Sequence, residues 1–313
     1  MEIKVLGPLL VQEHGVSIVP SAGKPRQILA LLALRAGRVV PAPVLMEEIW
    51  GDQLPRSATT TLQTYILQLR RKIASALGRD AGRGAKDVLR TCYGGYRLDA
   101  VELCSDFAEF EHKAARGGEE LEAGDAAAAA VLLAGALELW RGPGLVDVPT
   151  GEVLSVELIG MEESRLRVLE QRIEADLRLG RHAALLSELG MLAARYPMKE
   201  SLCAQFMLAL YRSGNAWRAL EAFQRMRGTL IEELGIEPSP RLQRLYRAML
   251  SADPSLEPPL AAAHRARPRP GRRRAPVTAG ADRARGPGPA GDHRPHRGYG
   301  TASPVHRREP RRR

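Results

Sequence analysis

Cysteine is scarce in this sequence: Cys92, Cys104 and Cys203 are the three present in 313 residues, odd in number and far apart. That argues against a disulfide framework or a thiolate zinc site and points to a reducing compartment. Aromatic residues are few, at 4%. No stretch approaches the roughly 18 uninterrupted apolar residues that mark a membrane span. The opening "MEIKVLGPLLVQEHG" has an acidic second residue and no basic region ahead of an apolar run, so no secretory leader is expected. Catalytic signatures are missing as well. "GRGAKD" has the wrong spacing for a phosphate loop and no Ser or Thr after Lys86, and there is no H-E-x-x-H, G-x-S-x-G or Cys-x-x-Cys. His14, His112 and His182 are isolated, and the acidic pairs Glu162-Glu163 and Glu232-Glu233 suit solvated helix faces. The expectation is a cytoplasmic, nucleoid-associated protein that is not an enzyme and uses no cofactor, metal or membrane.

What is abundant is charge, unevenly spread. Residues 1–105 hold 14 basic against 9 acidic residues, residues 106–250 hold 17 against 22, and residues 251–313 hold 15 against 5. A basic first third that also carries regular structure is the better nucleic-acid candidate. There, "EIKVLGPLLVQ" and "VSIVP" read as short strands broken at Gly7-Pro8 and His14-Gly15. "GKPRQILALLALRAG" and "PAPVLMEEIWG" read as helices, each with an early proline and a closing glycine. A third helix, "SATTTLQTYILQLRRKI", follows the loop "GDQLPRS" and fades at Gly78. "GRDAGRGAKD" reads as a turn or mobile loop, and "VLRTCYGGYRLD" as a hairpin around Gly94-Gly95. Strands, three helices and a hairpin make the order of a winged helix-turn-helix, here residues 1–101.

From Asp106 the chain reads as helical to about residue 250. Gly180 and Gly214 lie 34 residues apart, as do Leu177 with Tyr211, Leu186 with Leu220, Leu189 with Phe223 and Leu192 with Met226. That period, with "ALEAF" in the second helix, matches stacked tetratricopeptide-like helix pairs. Residues 253–313, rich in Arg, Pro, Ala and Gly, cannot offset their ordering entropy by burial and are expected to be a disordered basic tail. Such a tail suits a polyanion-binding arm; an out-of-frame reading of GC-rich DNA gives the same composition. The fold class expected is therefore mostly α with a small β part.

The third helix divides into two faces. Leu62, Tyr65, Ile66, Leu69 and Ile73 form an apolar stripe, opposite Thr60, Thr64, Gln68 and Arg71, with Leu67 at the margin. Threonine is an indifferent helix former, so the run Thr59-Thr60-Thr61 asks for another reason. A helix in the major groove presents such a face to base edges: Gln suits adenine, Arg suits guanine, and Thr offers a hydroxyl or a methyl. Thr61 and Gln63 complete the candidate set on this helix. Arg70 and Lys72 flank the face as phosphate contacts, Lys24 is a weaker one, and Arg90, Tyr93 and Arg97 are the wing candidates.

The chain resembles the Streptomyces antibiotic regulatory protein family over residues 2–250. The carriers are "VLGPL", "GKPRQILALLAL", "VLMEEIWGDQLPRSATTTLQTYILQLRRKI", "GGYRLD", "ALELWRGP", "EADLRLGRHAALLSEL" and the closing "LIEELGIEPSP". The resemblance implies a response-regulator-type winged helix joined to a bacterial transcriptional activation domain at residues 106–250. It further implies an activator of antibiotic biosynthesis genes that binds double-stranded promoter DNA at tandem direct repeats as a dimer. Recruitment of RNA polymerase through its sigma factor is implied too, with Trp50, Asp52, Gln53, Leu54 and Pro55 as the polymerase-contacting loop. Larger relatives continue into an ATPase module, which makes a truncated form of such a regulator one alternative. A protein-interaction scaffold or a sensor working through the helical domain is another.

Overall fold

The structure, a computed structural model, describes residues 1–78, 82–99 and 104–257. Strands β1 (Glu2–Lys4) and β2 (Leu10–Glu13) turn back around Gly7-Pro8 and pair antiparallel, with Ile3 opposite Val11. Both of these residues are fully buried, so the alternation of the sequence sets the register. β3 (Val16–Ser17) extends the sheet through the His14-Gly15 turn. Helix α1 (Gly23–Leu34) has Pro25 in its first turn, where no N–H is needed, and buries Ile28, Leu29, Leu31 and Leu32 completely. α2 (Ala42–Trp50) and α3 (Ala58–Leu77) complete the three-helix core, with Leu45, Leu62, Ile66, Leu69 and Ile73 inside.

Three short elements go beyond the sequence reading. β4 (Val39–Pro41) precedes α2 and joins the hairpin strands β5 (Leu89–Cys92) and β6 (Gly95–Leu98), so the wing is a three-stranded sheet in the order β4-β6-β5. α4 (Ala85–Val88) is one helical turn where only a turn or mobile loop is expected from the glycines. β7 (Cys104–Ser105) runs parallel to β1 and carries the chain from the wing back to the first sheet.

The helical part opens with α5 (Asp106–Ala123), capped by Ser105, and α6 (Ala126–Leu137), capped by Asp125 at 3.1 and 2.9 Å from the amides of Ala127 and Ala128. α7 (Glu152–Arg178), α8 (His182–Arg195), α9 (Glu200–Arg212), α10 (Ala216–Leu234) and α11 (Pro240–Leu250) follow. The 34-residue period is structural: Gly180 and Gly214 hold φ of +75° and +77° in equivalent turns, a conformation that side chains disfavour. Leu177, Leu189, Phe223 and Met226 are buried at matching positions of the two pairs. The tail does not begin at 253 as the composition suggests. Residues Pro254–Leu256 form a 3-10 turn capped by Asp253, Leu256 is buried, and its carbonyl accepts from Arg212 Nε at 2.7 Å. The rest of the expected tail lies outside the described residues.

The winged helix and the helical part share one apolar core, which runs without a break from Ile3 to Ala175 and includes Phe110, Trp140, Leu145 and Leu154. Backbone bonds stitch the loop after α6 onto the first sheet: Arg141 N donates to Leu6 O at 2.7 Å, and Leu145 N to Gly7 O at 2.8 Å. Among the described residues no helix is long and apolar enough to cross a membrane.

Candidate nucleic-acid interface

α3 presents its two faces as expected. Leu62, Ile66, Leu69 and Ile73 are buried and Tyr65 is half-buried against them, whereas Thr60, Gln63, Thr64, Gln68, Arg71 and Lys72 are exposed or nearly so and Thr61 is half-buried. Gln63, Gln68, Arg71 and Lys72 have no hydrogen-bond or ion-pair partner among the described residues. Leu67 is not marginal. It is 49% exposed, and by helical phase it falls between Gln63 and Thr60, on the polar face itself. An apolar side chain there suits the thymine methyl group, and a large residue off the core stripe was the sequence signal for it.

The start of α3 is open. Ser57 makes no side-chain cap, and the first turn holds no acidic residue, so the positive end of the helix faces outward. Thr64 Oγ1 turns inward to Thr60 O at 3.0 Å, which leaves its methyl for contact. Phosphate groups are the natural ligands of such an end.

Arg70 requires a correction. Its Nε and Nη2 donate to Leu89 O at 3.0 and 2.8 Å, and Nη2 also donates to Thr91 Oγ1 at 2.8 Å. The guanidinium clips the wing strand β5 to α3 rather than standing free for phosphate. In the wing, Arg97 is held by Asp99 at 2.9 and 2.8 Å, which raises its already high pKa through hydrogen bonding and charge. Arg90 lies 3.6 Å from the same carboxylate, while Tyr93 at the hairpin tip is fully exposed. Arg90 on β5 and Arg97 on β6 thus share one carboxylate, with Tyr93 in the turn that joins the two strands.

Lys24 and Trp50 come together where the sequence separates them. Lys24 Nζ sits 5.3 Å from the Trp50 ring centroid, and that ring stacks on Tyr65 at 6.5 Å. Trp50 is thus half-buried at the base of the loop. Asp52, Gln53, Leu54 and Pro55 are exposed beyond it, Leu54 by 56%.

Comparison with known proteins matches the sequence to two family models in turn. Residues 19–98 match the model "Transcriptional regulatory protein, C terminal", and residues 105–250 match "Bacterial transcriptional activator domain". The chain is 56% identical over 257 residues to the regulatory protein DnrI of Streptomyces peucetius, across 82% of this chain and 94% of that protein. The chain belongs to the Streptomyces antibiotic regulatory protein family. Among other members, it is 34% identical to the transcriptional regulator RedD of Streptomyces coelicolor, over 83% of this chain and 73% of RedD. The solved structure of Mycobacterium tuberculosis EmbR in complex with a low affinity phosphopeptide superimposes with a TM-score of 0.74 at 30% identity, over 81% of this chain and 65% of that one. As a family member the chain is a DNA-binding transcriptional activator of antibiotic biosynthesis, with DNA and RNA polymerase as its partners.

Proposed function

We propose that α3 is the reading head, with Arg71 and Gln68 on base edges, Thr60, Thr61, Gln63 and Thr64 along the entering first turns, and Leu67 against a thymine methyl. The observation that carries this is the exposed polar face of α3, with Gln63, Gln68 and Arg71 unpartnered among the described residues, set between an open helix start and the wing. Lys72 supplies a phosphate contact from the flank, and Arg90 and Tyr93 reach the adjacent backbone. Copies of the chain bind tandem direct repeats as a dimer. The loop from Asp52 to Pro55, rather than the packed Trp50, contacts the sigma factor of RNA polymerase. The protein works in the cytoplasm at the nucleoid.

Footprinting of the purified chain across its own gene neighbourhood tests the reading and yields the repeat sequence. Arg71→Ala or Gln68→Ala is expected to weaken specific binding by about 1–3 kcal/mol for each base edge left unread, and to relax preference at one position. A footprint and base preference unchanged by both substitutions removes α3 from the role.

A further inference from the structure

Glu48, near the end of α2, is 2% exposed and lies under the start of α7. Its Oε1 accepts from Gly151 N at 2.6 Å and from Gln27 Nε2 at 3.3 Å, and its Oε2 accepts from Leu154 N at 2.8 Å. Gly151 is the N-cap residue of α7 and Leu154 lies in its first turn, so this carboxylate satisfies two of the orphan amides and faces the positive end of the longest helix among the described residues. The approach is close: a Cβ on Gly151 would stand 2.1 Å from Glu48 O. Beside it, Arg35, which caps the end of α1, bonds Glu157 of α7 at 2.6 Å. In the other direction, Glu48 is two residues from Trp50, whose ring stacks on Tyr65 of α3.

A cap supplied from within α7 would serve stability alone. A cap supplied by α2 makes the first turn of α7 depend on where α2, and with it α3, is placed. We infer that Glu48 is a positioning residue for DNA reading. It fixes the angle between the recognition helix and the helical domain, so that two copies on adjacent repeats meet in one geometry. The inference rests on the proposed binding to direct repeats.

The test uses the full chain carrying Glu48→Ala or Glu48→Gln. Two amides need two acceptor oxygens, and Gln offers one, turning its NH2 toward the other N–H. Affinity for a duplex with one repeat is expected to stay within about threefold of the unmodified chain, while the cooperative gain on two repeats falls by about tenfold or more. The penalty for inserting one base pair between the repeats is expected to shrink as well. Hydrogen exchange reads the coupling without DNA: amides of residues 151–157 and of 60–68 speed up in both variants, while those of 28–34 do not. Equal losses on one and two repeats, unchanged cooperativity, or unaltered exchange in α3 overturns the inference. Absence of any cooperative gain in the unmodified chain instead refutes the direct-repeat reading, and exchange in α3 then decides the coupling by itself.

Discussion

Arg70 shows what a single residue's type conceals. A cation flanking a polar helix face fits a phosphate ligand, and Lys72 beside it retains that freedom. Arg70 differs because its neighbour across the fold is the β5 backbone, whose Leu89 carbonyl it saturates with two nitrogens. Charge-assisted bonds of this kind contribute about 1.5–3 kcal/mol, and this pair is only half-buried. Arg70→Ala is expected to lower stability to denaturant by about 1–2 kcal/mol while leaving the salt dependence of DNA binding nearly unchanged. Lys72→Ala is expected to do the reverse, flattening that slope by roughly 0.9 with no stability loss. Salt titration of both variants checks this, and a slope change at Arg70 with unchanged unfolding returns it to the phosphates. The face of α3 was legible because helical period alone sorts its residues. The partner of Arg70 was not, since it is 19 positions away in sequence.

At the scale of elements, the wing was half-legible. Gly94-Gly95 announces a hairpin, but β4 is three residues long and has no alternation to reveal it; only its pairing with β6 defines it. Gly95 is where that pairing constrains the sequence. A Cβ there would lie 2.2 Å from Val40 O, closer than any side chain tolerates. Gly95→Ala is expected to push β4 from the sheet and destabilise the fold by about 1–3 kcal/mol, measured by urea unfolding, with loss of DNA binding through the displaced wing. In the second helix pair, burial pushes the Cys203 thiol up to about 12, with Glu200 adding to the rise. An acid whose pKa is higher folded than unfolded favours the folded state below its ordinary value, near 9.0, and loses that contribution as pH climbs toward 12. Stability should therefore decline across that alkaline window, and less so in Cys203→Ala after allowing for its cavity. Alkylation at neutral pH should spare Cys203 until the chain is unfolded, and mass spectrometry reads this directly.

For the whole molecule, composition suggested separate jobs for a basic first third and an acidic middle. The interior does not follow it. Asp106 is 7% exposed, and its carboxylate accepts from Val5 N at 2.8 Å and Leu6 N at 3.0 Å, with Arg141 at 3.4 Å. Sequence reading cannot see such a contact, because residues 5 and 106 belong to different patterns and meet only through β7. On these contacts residues 1–105 are not expected to form a self-sufficient unit. Cut after 105, the chain loses the acceptors of two buried amides, each costing about 1–3 kcal/mol, against a total stability of about 5–15 kcal/mol. It also uncovers Val5 and Leu6, which Leu145 and its loop otherwise shield. The fragment 1–105 is expected to melt at least roughly 10 °C below the chain ending at 257, or to show no cooperative transition. Circular dichroism melts of the two decide it. A fragment that melts as high as the longer chain would mean that the shared core contributes little, and would free the reading head to be studied alone. If it melts low, weak DNA binding by the fragment reports a damaged scaffold rather than a weak reading face, and only the longer chain measures what α3 recognises.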